Sequence, residues 1–258
     1  MASAFFYDKV DYYTSTTADG TITINSETGS TTFATSSSIT NEEYIRDGSI
    51  QNAITNVAAN DTISFDLGSA QEPRFIAYYF KESSTTDITL WNSASATGSV
   101  TSVSALTDAF AAGWTVDEIS PGSARRYWFV YANGGAITNL SEIIMGAKFT
   151  LPVEPSVNIE ETFTFGTDYI KAYGNNEYVK DNHAIEPIIT FNLDYVTSAQ
   201  LTNIKTFASY VTNRYPFIYS EDGATGPFHF VRLLDAIKIT EVAPNIFSCT
   251  LTLREIVN

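Results

Sequence analysis

The chain has 258 residues, of which 44% are hydrophobic and 17% charged, so it can bury a core and wholesale disorder is excluded. Lys and Arg number 14 against 29 Asp and Glu, and the net charge of −15 disfavours direct contact with nucleic acid or anionic membranes. Cys249 is the single cysteine, which excludes an intramolecular disulfide and a cysteine-based zinc site.

The N-terminal residues Met1–Lys9 lack the basic segment and long apolar run of a signal peptide. A run of about 18 apolar residues, which a membrane helix needs, occurs nowhere in the sequence. We therefore expect a soluble chain that is made in the cytoplasm and does not insert into a membrane.

Strand patterns occupy the first half of the chain. Residues 1–30 form an N-terminal arm in which Thr21–Ile24 is a short strand. Ile63, Phe65 and Leu67 alternate with polar residues, which predicts a strand with one buried face that ends at Gly68. Further strands are predicted at Phe75–Phe80, Asp87–Trp91, Arg126–Tyr131 and Glu142–Phe149. Short strands at this spacing predict a β-sandwich over residues 31–150.

A proline-containing segment separates the two halves. Pro152 and Pro155 cannot join a central strand ladder, so residues 151–157 are predicted to be a linker. Residues 158–258 form the second domain, with one helix predicted over 197–213. Its apolar residues recur at helical spacing (Leu201, Ile204, Phe207, Ala208 and Val211), and Thr197 or Ser198 is the N-cap. A closing strand alternates from Phe247 to Leu253. The fold class is therefore all-β with one flanking helix.

Few residues suggest catalysis. His229 is predicted on a strand and His183 in a loop, without metal-ligand spacing, and no serine-hydrolase, P-loop or dinucleotide motif is present. Cys249 alternates with polar residues and is expected in the core. We predict a protein that is not an enzyme. A polysaccharide depolymerase remains an alternative, because two catalytic carboxylates can come from distant strands.

Two tryptophans are candidates for ligand binding. Trp91 opens a loop that is predicted to run to Gly98 and is followed by Asn92, and Trp114 follows Gly113. An aromatic face beside a polar amide suits a sugar, which needs stacking and directional hydrogen bonds. The alternative is that both tryptophans cap the core of the sandwich.

Residues 31–150 resemble the discoidin, or galactose-binding-like, family. The resemblance rests on Tyr44–Gly48, Ile63–Gly68, Ala124–Val130 and Leu140–Ile143. It implies a jelly-roll sandwich whose loops at one end bind a glycan, a lipid headgroup or a protein. A host surface glycan is the ligand that the alternative function requires. The resemblance also implies a structural calcium, with Asp47 and Glu142 at the matching places; no other cofactor is expected.

Residues 158–258 resemble the hub domain of phage distal tail and minor tail proteins. The similar stretches are Ile188–Leu193, the helix, Tyr215–Tyr219, Phe230–Arg232 and Phe247–Glu255. The resemblance implies a β-barrel that forms a ring, commonly six-fold, and contacts tail-tube and baseplate proteins within the virion. Here the sandwich precedes the hub, whereas the family usually has the reverse order. We therefore expect a structural tail subunit, with glycan-binding adhesion as the alternative.

Overall fold

The computed structural model describes residues 2–8, 21–26, 50–54, 59, 61–84, 86–94, 101–106, 111–120, 122–133, 135–156, 159–171 and 177–256. The strands are β1 Ala4–Asp8, β2 Thr21–Ser26, β3 Asp61–Gln71, β4 Phe75–Phe80, β5 Asp87–Ser93, β6 Thr101–Ala105, β7 Gly113–Glu118, β8 Arg125–Asn133, β9 Leu140–Thr150, β10 Glu160–Lys171, β11 Glu177–Thr197, β12 Phe217–Ser220, β13 Phe228–Leu233, β14 Lys238–Ala243 and β15 Ile246–Glu255. One helix, α1, covers Ser198–Val211. The prediction of a β protein with one helix is confirmed.

The chain folds as two compact units. The first, here called the helix unit, combines Met1–Phe5 with Phe149–Asn258, and the second, the sandwich unit, is Phe6–Lys148. The sequence predicts that residues 1–30 are an N-terminal strand or arm and that residues 151–157 are a linker. In the structure the Leu151 amide donates to the Ser3 carbonyl oxygen at 2.9 Å, so the start of the chain and the start of the predicted linker bond to each other within the helix unit. The residues of this arm from Phe6 onward belong to the sandwich unit.

Two antiparallel sheets form the sandwich unit. One has the strand order β2-β3-β8-β5-β6, and the other contains β9-β4-β7. Their facing side chains make one core, which includes Ile63, Phe65, Tyr78, Trp128 and Ile143. The prediction of a sandwich is confirmed by these two packed sheets.

Strand β3 departs from the sequence prediction at its end. Ile63, Phe65 and Leu67 are buried, as their alternation predicts. Gly68, however, does not end the strand, which continues to Gln71. Gly68 adopts a φ of 70°, and the register with β8 shifts between Asp66 and Gln71. A glycine at positive φ can therefore produce an irregular pairing instead of a strand end.

The helix unit contains a sheet with the order β10-β11-β15-β13-β12-β1, and β14 pairs with β15 as well. Among the described strands this order does not close on itself, because β10 pairs with β11 alone, so the closed barrel predicted for residues 158–258 is not found. Cys249, Leu251 and Leu253 are buried on β15, as the alternation of the closing strand predicts.

Helix α1 follows the predicted pattern. Thr197 is the N-cap, and its side chain and that of Gln200 bond reciprocally to each other's backbone in a capping box. Leu201, Ile204, Phe207 and Val211 are buried, which confirms the predicted apolar face apart from Ala208, which is partly exposed. With 14 residues, α1 is too short to cross a membrane, and the described residues contain no other helix that could.

Candidate binding surfaces

Three residues on neighbouring strands of the sandwich unit form a row. Tyr79 on β4 pairs with Trp114 on β7 and with Glu142 on β9. Because directly paired residues of antiparallel strands project to the same face of a sheet, their side chains share one face. It is the face opposite to the core residues Tyr78 and Phe80. We call Glu142, Tyr79 and Trp114 the Tyr79 row.

The aromatic part of the Tyr79 row is half-buried. The rings of Tyr79 and Trp114 meet edge to face, with centroids 5.4 Å apart and an interplanar angle of 65°. Both residues keep part of their surface exposed, whereas Glu142 is 0% exposed. The row thus combines an accessible aromatic surface with a buried carboxylate.

A hydrogen bond on the core face holds β7 against β4. The Tyr78 hydroxyl donates to Asp117 Oδ2. Burial first, and then the negative charge of Asp117 and this hydrogen bond, raise the pKa of the Tyr78 hydroxyl. The Tyr78 hydroxyl therefore keeps its proton and donates it to Asp117, and this hydrogen bond fixes the strand that bears Trp114.

Trp91 lies on the other sheet. It belongs to β5, so the predicted loop from Trp91 to Gly98 begins later than expected, after Ser93. The Trp91 ring stacks on that of Tyr131, with centroids 4.7 Å apart and planes 18° apart. The neighbouring Asn92 is 2% exposed and lies on the opposite face of the strand, because adjacent strand residues alternate.

The predicted glycan-binding residues are therefore not brought together. Trp91 and Trp114 lie on the outward faces of two sheets whose shared core separates them. Asn92 points towards that core and not along the face of Trp91. Tyr79 could not be predicted as a site residue, because the sequence alone does not reveal which residue of β4 pairs with Trp114 on β7.

The predicted calcium site has one residue in the described part of the chain. Glu142 is on β9 and wholly buried, whereas Asp47 lies outside the described residues. Within the described residues, no three His, Cys, Asp or Glu side chains cluster as a metal site requires. The calcium site stays a prediction.

The helix unit contains a groove of about 580 Å³ between the second half of α1 and the segment that leads into β14. Its walls are mainly apolar, with Ile204 and Ala208 on the helix side and Leu233, Ile237 and Ile239 on the strand side. Lys205 and Asp235 supply one charge of each sign. This volume is within the range of pockets that bind small molecules.

His229 forms an ionisable pair with Glu255 in the helix unit. Its Nδ1 lies 3.3 Å from Glu255 Oε1. This hydrogen bond raises the pKa of His229, and the charges of Glu255, Glu221 and Glu161 add to the effect, while burial opposes it. The position of His229 on β13 confirms that it is a partly exposed sheet residue, as the sequence predicts.

Comparison with known proteins gives likenesses of fold. No protein-family profile matches the chain, and no curated protein matches it. Among solved structures, the module CpGH89CBM32-5 from Clostridium perfringens, in complex with GalNAc-beta-1,3-galactose, is 15% identical with a TM-score of 0.35, covering 50% of this chain and 96% of that one.

Two further solved structures are similar. Chitosan-binding module 2 of a chitosanase/glucanase from Paenibacillus sp. IK-5, in complex with chitotriose, is 15% identical with a TM-score of 0.38 and covers 50% of this chain and 97% of its own. The CBM32 of AlyQ, in complex with 4,5-unsaturated mannuronic acid, is 16% identical with a TM-score of 0.32 and covers 40% and 83%.

Proposed function

We propose that the sandwich unit binds a carbohydrate and that Tyr79 and Trp114 form its stacking surface. The observation that carries the proposal is the edge-to-face aromatic pair, with centroids 5.4 Å apart, on strands β4 and β7. Strand β7 is at the end of the described order β9-β4-β7, so Trp114 lies at the border of its sheet. A ligand can reach the pair there.

The chemistry of this surface favours a sugar over other ligands. Partly exposed aromatic rings bind the apolar C–H faces of a pyranose, and neighbouring polar groups accept from its hydroxyls. The net charge of −15 opposes polyanions such as nucleic acids, whereas a neutral glycan meets no such repulsion. We therefore expect a neutral host surface glycan.

A glycan array followed by titration calorimetry tests this proposal. Trp114→Ala and Tyr79→Ala are each expected to weaken binding roughly tenfold, because each removes one stacking partner. Trp91→Ala is the matched control, since its ring stacks on Tyr131 on the other sheet. Absence of binding to any glycan, or loss of binding in Trp91→Ala alone, would contradict the assignment. Release of reducing ends from the bound polymer would indicate the depolymerase alternative instead.

We also propose a second role, in which the helix unit assembles copies of this chain as a bacteriophage tail or baseplate subunit does. One observation favours assembly. Among the described residues, the large apolar side chains that remain exposed all belong to the helix unit: Ile159, Phe163, Tyr195, Ile239 and Val242. Exposed large apolar side chains that are concentrated in one unit favour an interaction surface on that unit.

Mass photometry of the purified protein, with negative-stain images of the same sample, tests the second role. A closed ring of identical subunits is the expected result, and it would direct the search to neighbouring tail-tube and baseplate proteins. A monomer at every concentration would count against the second role, without bearing on the glycan-binding surface of the sandwich unit.

A further inference from the structure

The apolar face of the sheet in the helix unit extends over more strands than the helix covers. Ile189 on β11 pairs with Leu253 on β15, and both are buried. On the outer side of β11, Glu161 pairs with Ile189 and Phe163 with Pro187, so Phe163 projects from this same face. On the other side, Ile239 of β14 pairs with the buried Cys249 of β15.

Helix α1 covers only the middle of that face. The buried residues of α1 pack in the centre of the unit, where Phe207 contacts Phe5 and Phe217. The flanks stay uncovered, since Phe163 is 52% exposed and Ile239 is 37% exposed. The flank at β14 is the 580 Å³ groove, which Ile239 lines together with residues of α1.

Both flanks coincide with free strand edges. In the described part of the chain, β10 pairs with β11 alone and β14 pairs with β15 alone. All six residues of β14 are exposed. A free edge offers unpaired N–H and C=O groups to another strand, and natural proteins cover such edges or use them for assembly.

We propose that strand β10 of one copy adds to strand β14 of the next copy, with Phe163 entering the groove beside Ile239. Adjacent strands lie about 4.8 Å apart, so the added strand would continue the sheet and its apolar face. An apolar projection and an apolar socket at opposite edges of one unit make a head-to-tail contact, which repeats from copy to copy. The inference rests on the second proposed role and names its two surfaces.

The charges beside the two edges also favour a second copy as the partner. Glu160 and Glu161 are exposed next to Phe163. Lys205 lines the groove and is exposed, and the exposed Lys238 is the first residue of β14. Asp235 also lines the groove, and Glu241 is exposed on β14. In a chain with only 14 Lys and Arg, Lys205 and Lys238 bring two of these charges to the edge that would receive the acidic end of β10.

The test uses sedimentation velocity on the full chain over a concentration series. Phe163→Asp and Ile239→Asp are each expected to weaken self-association roughly 100-fold or more, because each places a carboxylate in an apolar contact. Asn203→Asp is the matched control. It adds a carboxylate at an exposed position of α1 that does not line the groove, and it should leave association unchanged.

A mixing experiment distinguishes this contact from any other. The Phe163→Asp variant has an intact groove, and the Ile239→Asp variant has an intact Phe163. In an equimolar mixture one such contact can form between the two variants, so we expect dimers of one copy of each and nothing larger. Dimers in the mixture also show that both variants are folded. If wild type assembles but the two variants assemble as well as it does, the edge contact is overturned and assembly stands. If wild type stays monomeric throughout, both the contact and the assembly role are overturned.

Discussion

Phe5 and Phe207 stack face to face in the helix unit, with ring centroids 4.8 Å apart and planes 22° apart. Phe5 also meets Phe217 edge to face at 5.1 Å. The fifth residue of the chain therefore packs against a helix that lies some 200 residues later, and it is 0% exposed. Phe5 is consequently part of the core of the helix unit.

Replacing Phe5 with alanine is expected to destabilise the helix unit by about 3–5 kcal/mol, because it leaves a cavity among several aromatic rings. Urea denaturation followed by circular dichroism measures the free energy of unfolding. Tyr195→Ala is the control, since its side chain is mostly exposed and its loss should change stability little. Equal stability of Phe5→Ala and wild type would show that the N-terminal strand does not support the core.

Alternation and helical spacing correctly predicted the buried faces of single strands and of the helix. Ile63, Phe65 and Leu67 on β3, and Leu201 to Val211 on α1, are buried as expected because a period of 2 or 3.6 identifies the buried face. The pattern of one strand does not tell which other strand pairs with it. This long-range register places Trp91 and Trp114 on different sheets. It also pairs Tyr79 with both Trp114 and Glu142.

The burial of Phe5 could not be predicted for a related reason. Its neighbours Phe6 and Tyr7 are also aromatic, so the sequence shows a short apolar run at the N-terminus. It does not show which residues elsewhere in the chain pack against this run. The order of the strands β12 and β1 decides that Phe5 meets Phe217 and the helix. Likewise, the open order of the sheet was missed because the same alternating strands fit a barrel equally well.

The capping box of α1 gives a second prediction. Thr197→Ala is expected to lower the free energy of unfolding by about 1 kcal/mol, because the backbone N–H of Gln200 loses the Thr197 hydroxyl as its acceptor. Thr202→Ala is the matched control, since the Thr202 hydroxyl bonds only to the Ser198 carbonyl of the same helix. Thermal unfolding of the two variants side by side is the measurement. A Thr202→Ala variant that is less stable than Thr197→Ala would contradict the role of the cap.

The His229–Glu255 pair gives a prediction about pH. The folded protein binds the His229 proton more tightly than the unfolded chain does, because Glu255 raises the pKa of His229 above its ordinary value of about 6.5. This contribution to stability is fully present below that ordinary value and is lost as the pH rises through the raised pKa. Wild type should therefore lose stability over that window relative to His229→Gln.

Denaturant titrations of wild type and His229→Gln from pH 5 to 9 check the expectation. Glu221 and Glu161 also raise the pKa of His229, so Glu255→Gln should reduce the pH dependence without abolishing it. If the stability difference between wild type and His229→Gln is constant over the whole range, His229 does not titrate as the pair requires.

The hydrogen bond between Tyr78 and Asp117 connects stability to the proposed binding surface. Tyr78→Phe should destabilise the sandwich unit by about 1.5–3 kcal/mol, because it removes the donor to a charged acceptor. Asp117→Asn keeps an acceptor oxygen and should cost less. Since this bond fixes β7 against β4, Tyr78→Phe should also weaken glycan binding through Trp114, although Tyr78 faces the core. Unfolding curves and calorimetry on both variants are the measurements. A Tyr78→Phe variant that is less stable than wild type but binds the glycan as tightly would show that this hydrogen bond does not support the binding surface.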